Sequence, residues 1–150
     1  MKKSKSTKSS NILMEPFAAE VSAAGTSNDS HLLISQSRNG INMRGIKRIM
    51  QRYDLSQKEM AVILNVSERT LQRYADDAIL SKDSSERALH LQRLFERGKE
   101  VFGTADIFLQ WMRTPNLIYK NHQPFSYLDT IFGFELLENE LGRIEHGVLA

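Results

Sequence analysis

Gln57-Lys58-Glu59-Met60-Ala61-Val62-Ile63-Leu64-Asn65-Val66-Ser67-Glu68-Arg69-Thr70-Leu71-Gln72-Arg73-Tyr74 is the stretch whose reading decides the fold of this chain. Ser56, just before it, and Glu59 form a capping-box pair: the serine hydroxyl can accept from the Glu59 amide while the Glu59 carboxylate reaches back to the Ser56 amide. Met60, Ala61, Ile63 and Leu64 supply the apolar positions of a helix that stops at Asn65, a residue that tolerates positive φ better than most. Ser67 then caps a helix from Glu68 to about Ala75, with Leu71 and Tyr74 turned inward beside Val66. A small Ala61 lets the two helices cross closely. These independent constraints together predict a helix-turn-helix.

Upstream, Ile46, Ile49, Met50 and Tyr53 recur at the i, i+3, i+4, i+7 spacing of one buried stripe, leaving Lys47, Arg48 and Arg52 outside. Downstream, Asp83 or Ser84, followed by Glu86, opens a long helix. Its stripe Ala88, Leu91, Leu94, Phe95, Val101, Phe102 runs to Gly103. Thr104 caps a short helix holding Ile107, Phe108, Trp111 and Met112, which Thr114-Pro115-Asn116 stops. Pro124 is placed as the first-turn proline of a helix with Tyr127 and Leu128. The last helix buries Phe134, Leu137, Leu141 and Ile144, with Gly147 as its left-handed stop. No strand alternation appears.

The expected architecture is therefore all-α, an N-terminal helix-turn-helix bundle linked by a long helix to a small helical C-terminal domain. The boundaries are a mobile tail over 1–38, the helix-turn-helix over 39–82, a connecting helix over 83–103 and a terminal domain over 104–150. Residues up to about Arg38 are rich in Ser, Lys, Ala and Asn, too polar to offset the entropy of ordering them. His31-Leu32-Leu33-Ile34 is the part of that tail suited to docking locally on the first domain.

With 41% apolar and 25% charged residues the chain has an ordinary soluble composition. Its net charge of +2 is unevenly spread. Between Ile41 and Lys82 eight Lys/Arg stand against five Asp/Glu, whereas from Thr104 onward three stand against six. The reading unit is thus basic and the end of the chain acidic, which favours an anionic partner for the former alone. Having no cysteine, the chain forms no disulfide and offers no thiolate metal site, as suits a reducing cytoplasmic setting. Glu15, Pro16 and Glu20 interrupt what would be the apolar region of a signal peptide, and no apolar run approaches the roughly 20 residues of a membrane span.

Catalysis finds no support. His31, His90, His122 and His146 are scattered, no glycine-rich phosphate loop is present, and Glu135, Glu138 and Glu145 form one charged helix side rather than an acid/base pair. No metal site, catalytic residue or cofactor is expected. The third helix does offer chemistry on its exposed side: Ser67, Glu68, Arg69, Gln72 and Arg73. Arginine can bond a guanine edge at two points and glutamine an adenine edge. Arg69, Gln72 and Arg73 are therefore the expected base readers, with Gln57 at the start of the second helix reaching a phosphate through its amide. The bland alternative is a solvated helix face in a protein-binding unit.

Over roughly residues 41 to 80 the sequence resembles the Xre family of bacterial repressors, with Asn65 where glycine is more usual. Leu94 to Ala150 resembles the toxin-binding domain of the MbcA/ParS/Xre antitoxins. That resemblance runs through Phe102-Gly103, Trp111-Met112-Arg113-Thr114-Pro115-Asn116, Pro124, Leu128-Asp129-Thr130 and the closing Leu141-Gly142-Arg143-Ile144-Glu145-His146-Gly147-Val148. The chain departs from it at Leu117-Ile118-Tyr119-Lys120-Asn121-His122, bulkier than the small glycine-containing turn of such proteins.

What the resemblance implies is an antitoxin that binds a cognate toxin, an NAD-consuming RES-domain enzyme or a related ADP-ribosyltransferase, and blocks its active site with Arg143, Glu145, His146, Gly147 and Val148. It also implies a homodimer within a larger toxin–antitoxin complex, repressing its own operon from a palindromic operator. Glu135, Glu138, Glu140 and Glu145 would complement a cationic nucleotide pocket in the toxin, and His146 suits the negative end of the last helix. The rival reading is a stand-alone repressor whose C-terminal domain dimerises or senses a small ligand.

Overall fold

The computed structural model describes residues 27–147. Seven α-helices follow one another: α1 Ser27–Asn39, α2 Met43–Arg52, α3 Gln57–Ile63, α4 Glu68–Arg73, α5 Lys82–Phe102, α6 Ala105–Arg113 and α7 Ile131–Glu145. Two 3-10 turns, Leu117–Tyr119 and Pro124–Asp129, lie between α6 and α7. Among the described residues extended pairing is limited to two isolated bridges, Asn42 with Ile79 and Asn116 with His122.

The first expected stripe is α2: Ile46, Ile49 and Tyr53 are buried, and Asn42 caps the helix by accepting from the Gly45 amide at 2.9 Å. The capping box of α3 forms as predicted, with the Ser56 amide donating to Glu59 at 2.8 Å and the Glu59 amide to Ser56 Oγ at 3.1 Å. The end of α3 is closed by a pair of backbone bonds, Val66 N–H to Ala61 and Asn65 N–H to Val62, with Asn65 at φ 56°. That is the Schellman arrangement, and it is why an asparagine stands in the turn.

Four expectations are corrected. Residues 27–38, assigned by composition to a mobile tail, are the body of α1; one half-buried Leu33 and a buried Ser37, whose hydroxyl donates to Glu86 at 2.8 Å, dock it on α5. The long helix starts at Lys82 under a Ser81 cap rather than at Asp83 or Ser84, since Ser81 Oγ accepts from the Ser84 amide. Ile144, expected to be buried on the last helix, is only half-buried at the end of α7. The turn opened by Pro124 is a 3-10 turn, not an α-helix.

The long helix is also more than a link. Ten of its residues, from Ser84 to Gly98, are buried, and α1, the reading unit, α6 and α7 all pack around it. Its first turn is bolted to the reading unit by two serines: Ser85 Oγ accepts from the Ile41 amide and Ser84 Oγ donates to the Leu64 carbonyl. Further along, Gly98 lets the Phe108 ring of α6 lie where a Cβ would be 2.5 Å away. Ring contacts then run without a break from Tyr53 in the first module through Phe95, Phe108, Trp111 and Tyr119 to Tyr127. The two modules share one apolar core.

Candidate nucleic-acid face and partner-facing tip

The structure gathers the residues expected to read DNA. Arg69, Gln72 and Arg73 stand at i, i+3 and i+4 on α4, all exposed, and so share one helix face. Gln57, the first residue of α3, reaches this face: Gln72 Nε2 donates to Gln57 Oε1 at 3.1 Å. Arg69 and Arg73 make no hydrogen bond or ion pair with any described residue, so their guanidinium groups are available to an anion. Ser67 is present at the edge but engaged, its oxygen accepting from the Thr70 amide at 3.0 Å and hydrogen-bonded to Thr70 Oγ1 at 2.7 Å. Its first duty is capping α4.

Part of the basic charge of this module is spent at home. Lys47 pairs with Asp76, whose carboxyl is held below its ordinary value chiefly by that hydrogen bond. Arg52 lies 2.8 Å from Glu96 on α5. Among the cations left unpaired, Arg69 and Arg73 stand on α4, the helix that a helix-turn-helix lays in the major groove.

The second candidate surface is the tip of α7. Arg143 is exposed and 3.5 Å from Glu140; Glu145 is held at 2.8 Å by Arg97 of α5. His146 closes the helix, its amide donating to the Gly142 and Ile144 carbonyls, and Gly147 follows at φ 68°. Val148 lies outside the described residues. The tip is therefore less acidic than its composition: two of its four glutamates are neutralised by arginines, and the Glu140 side chain is 13% exposed. Glu135 faces solvent on the same helix.

One feature here escapes the sequence reading. Phe132, on the first turn of α7, is 81% exposed, and Leu136 one turn further is 43% exposed. With Asn139 and Arg143 they follow the i, i+4, i+7, i+11 line of one outward stripe. The Phe132-Gly133-Phe134 triplet carries the signal, because residues two apart on a helix point to different sides. Gly133 and Phe134 are buried, and a Cβ on Gly133 would sit 1.6 Å from the Tyr127 carbonyl oxygen; Phe132 is thereby forced outward. In the connection before it, Leu117 and Ile118 are 82% and 57% exposed.

A contact missed from sequence joins the two modules. Arg113, the last residue of α6, donates to the Asp54 carbonyl at 2.7 Å and lies 3.4 Å from the Glu59 carboxylate. The terminal module thus braces the capping box on which α3 depends. Among the described residues no three metal-ligating side chains converge, and no helix is long and apolar enough to cross a membrane.

A helix-turn-helix fused through a shared core to a second helical module defines a DNA-binding regulator with a partner domain. Residues 32–93 match the antitoxin Xre-like helix-turn-helix domain, and residues 97–147 match the antitoxin Xre/MbcA/ParS C-terminal toxin-binding domain. The chain matches none of the curated proteins in sequence. It belongs to the Xre/MbcA/ParS antitoxins and serves as the antitoxin of a toxin–antitoxin pair, with a toxin and DNA as its partners.

Proposed function

We propose that the toxin is an RES-domain enzyme that consumes NAD, that the closing segment of α7 occupies its active site, and that the antitoxin represses its own operon as a homodimer. The observation that carries this reading is the pairing of both antitoxin domains in one chain, the toxin-binding match ending at Gly147 on the exposed tip. Arg143, Glu145, His146, Gly147 and Val148 are the proposed contacts at the enzyme's mouth. Phe132 and Leu136, on the line that leads to Arg143, add the apolar area that such an interface needs near its centre.

On the DNA side, Arg69, Gln72 and Arg73 are the proposed base readers, Gln57 a phosphate contact, and Ser67 a cap at their edge. A lone helix-turn-helix buries little interface, so a second subunit supplies the other half-site. Co-expression with the product of the adjoining reading frame tests the whole reading. A stable complex whose toxin no longer depletes NAD supports it. A clean homodimer that still represses, with no toxin attached, replaces it by a stand-alone repressor.

A further inference from the structure

A groove of about 360 Å³ runs between α1 and α5, within the range of about 300–1,000 Å³ typical of binding clefts. Leu33 and Ile34 of α1 and Leu89 of α5 line it with apolar surface; Arg38, Lys82 and Arg93 supply its positive charge. Glu86, the acidic residue of the lining, already accepts from Ser37 at 2.8 Å and lies 3.8 Å from Lys82. Arg38 and Arg93 have no carboxylate or hydrogen-bond partner among the described residues. At the same place His90 Nδ1 is shut off from solvent without a partner. An apolar lining with unanswered cations selects an amphipathic, acidic occupant.

The chain itself contains such a segment. Ile12-Leu13-Met14-Glu15-Pro16-Phe17-Ala18-Ala19-Glu20-Val21 holds the two acidic residues and the aromatic residue found between Met1 and Thr26, within a stretch otherwise made of small, polar and lysine residues. We propose that the groove between α1 and α5 is the docking site for this segment of the same chain. Phe17 and Leu13 meet the Leu33–Ile34–Leu89 surface, and Glu15 and Glu20 meet Arg38 and Arg93. The connection is long enough: the five residues 22–26 span up to about 17 Å extended, whereas Ser27 to Ile34 along α1 is about 10 Å. Gly25 eases the reversal this requires. The tether supplies an effective concentration that a separate peptide would lack.

Because the chain has no cysteine, a pair introduced into the full-length protein reports proximity directly. Ala18→Cys with Ile34→Cys, oxidised with glutathione disulfide, should close an intramolecular disulfide at least about fivefold faster than Thr7→Cys with Ile34→Cys, beyond what tethering alone gives. Adding Glu15→Lys and Glu20→Lys should erase that excess, and Arg38→Glu with Arg93→Glu in the same molecule should restore it. Equal rates for the two pairs, or indifference to charge reversal, would overturn the proposal in favour of a small amphipathic anion as occupant. A disulfide found between two chains would overturn it in favour of exchange with a second copy.

Discussion

Gln72 Nε2 donates to Gln57 Oε1 across the crossing of α4 and α3 at 3.1 Å, so the amide proposed to read a base is oriented by a residue of the preceding helix. Gln72→Ala should remove about 1–3 kcal/mol of discrimination at one base pair. Gln57→Ala should weaken the same discrimination by a smaller amount, and the double variant should fall short of the sum. Competition binding against single-base operator variants at fixed salt measures this. Strictly additive losses would show that the two amides act separately.

Arg69 and Arg73 stand unpaired on the exposed side of α4. Replacing either with alanine should weaken operator binding at least about tenfold, roughly 1.4 kcal/mol, at constant salt. An arginine that touches a phosphate will also lower the salt slope by about one, whereas one that reads a base will relax specificity at its position. Unchanged affinity would remove that residue from the DNA face.

Arg113→Ala releases the contacts to Asp54 and Glu59. Since the side chain is partly exposed, solvent screening limits the cost to about 1 kcal/mol. The loss should register on both modules: a lower melting temperature and a several-fold weaker grip on DNA, although Arg113 is on α6. Thermal melting and operator titration of the one variant check it. A change confined to toxin binding would contradict the brace.

Two buried tyrosines make opposite predictions. Tyr53 donates to Glu96 at 2.8 Å, so Tyr53→Phe should cost about 1 kcal/mol. The Tyr119 hydroxyl is buried without a partner, so Tyr119→Phe should be neutral or stabilise by up to about 1 kcal/mol. Both phenols are raised above their ordinary value of 10.0: Tyr53 by burial and then its bond to Glu96, Tyr119 by burial and then the Glu140 charge. A raised folded pKa gives stability that is whole below the unfolded value and is lost as pH rises through the folded one. Stability should therefore decline above about pH 10, less steeply in the double phenylalanine variant, as denaturant melts across pH will show.

Deleting residues 143–150 removes the proposed toxin contacts but keeps Leu141, the last fully buried residue of α7. Toxin neutralisation should be abolished in cells while operator binding by the truncated protein persists within about a factor of three, the scale expected of surface changes. Phe132→Asp in the full-length chain should weaken toxin binding by at least about tenfold without altering the fold, because the side chain is 81% exposed. Full protection by the truncated chain would move the clamp elsewhere.

The reading unit was legible because its signals are local. Ser56 with Glu59, Asn65 and Ser67 fix helix ends through bonds within three residues, and all three behave as the sequence predicts. What stayed hidden depends on partners far along the chain. The segment 27–38 reads as polar because α1 docks through a serine to Glu86, 49 residues away, and buries little apolar surface of its own. The brace from Arg113 spans 59 residues to Asp54, and a surface arginine in sequence carries no mark of its target. The outward Phe132 was hidden for another reason: a phenylalanine beside Gly133 and Phe134 counts as core until the Tyr127 carbonyl, pressed against Gly133, decides which way the helix turns. The acidic tip was overestimated because Arg97, which cancels Glu145, comes from α5.

The unbroken row of rings from Tyr53 to Tyr127 leaves no seam at which the molecule could be halved. Loosening at one end should propagate to the other, so a protease that engages a transiently opened copy should remove the DNA-binding and toxin-binding modules together. On the proposed reading, a cell that lets this protein decay unsilences the promoter and frees the poison in one event, with no half-functional remnant to delay either.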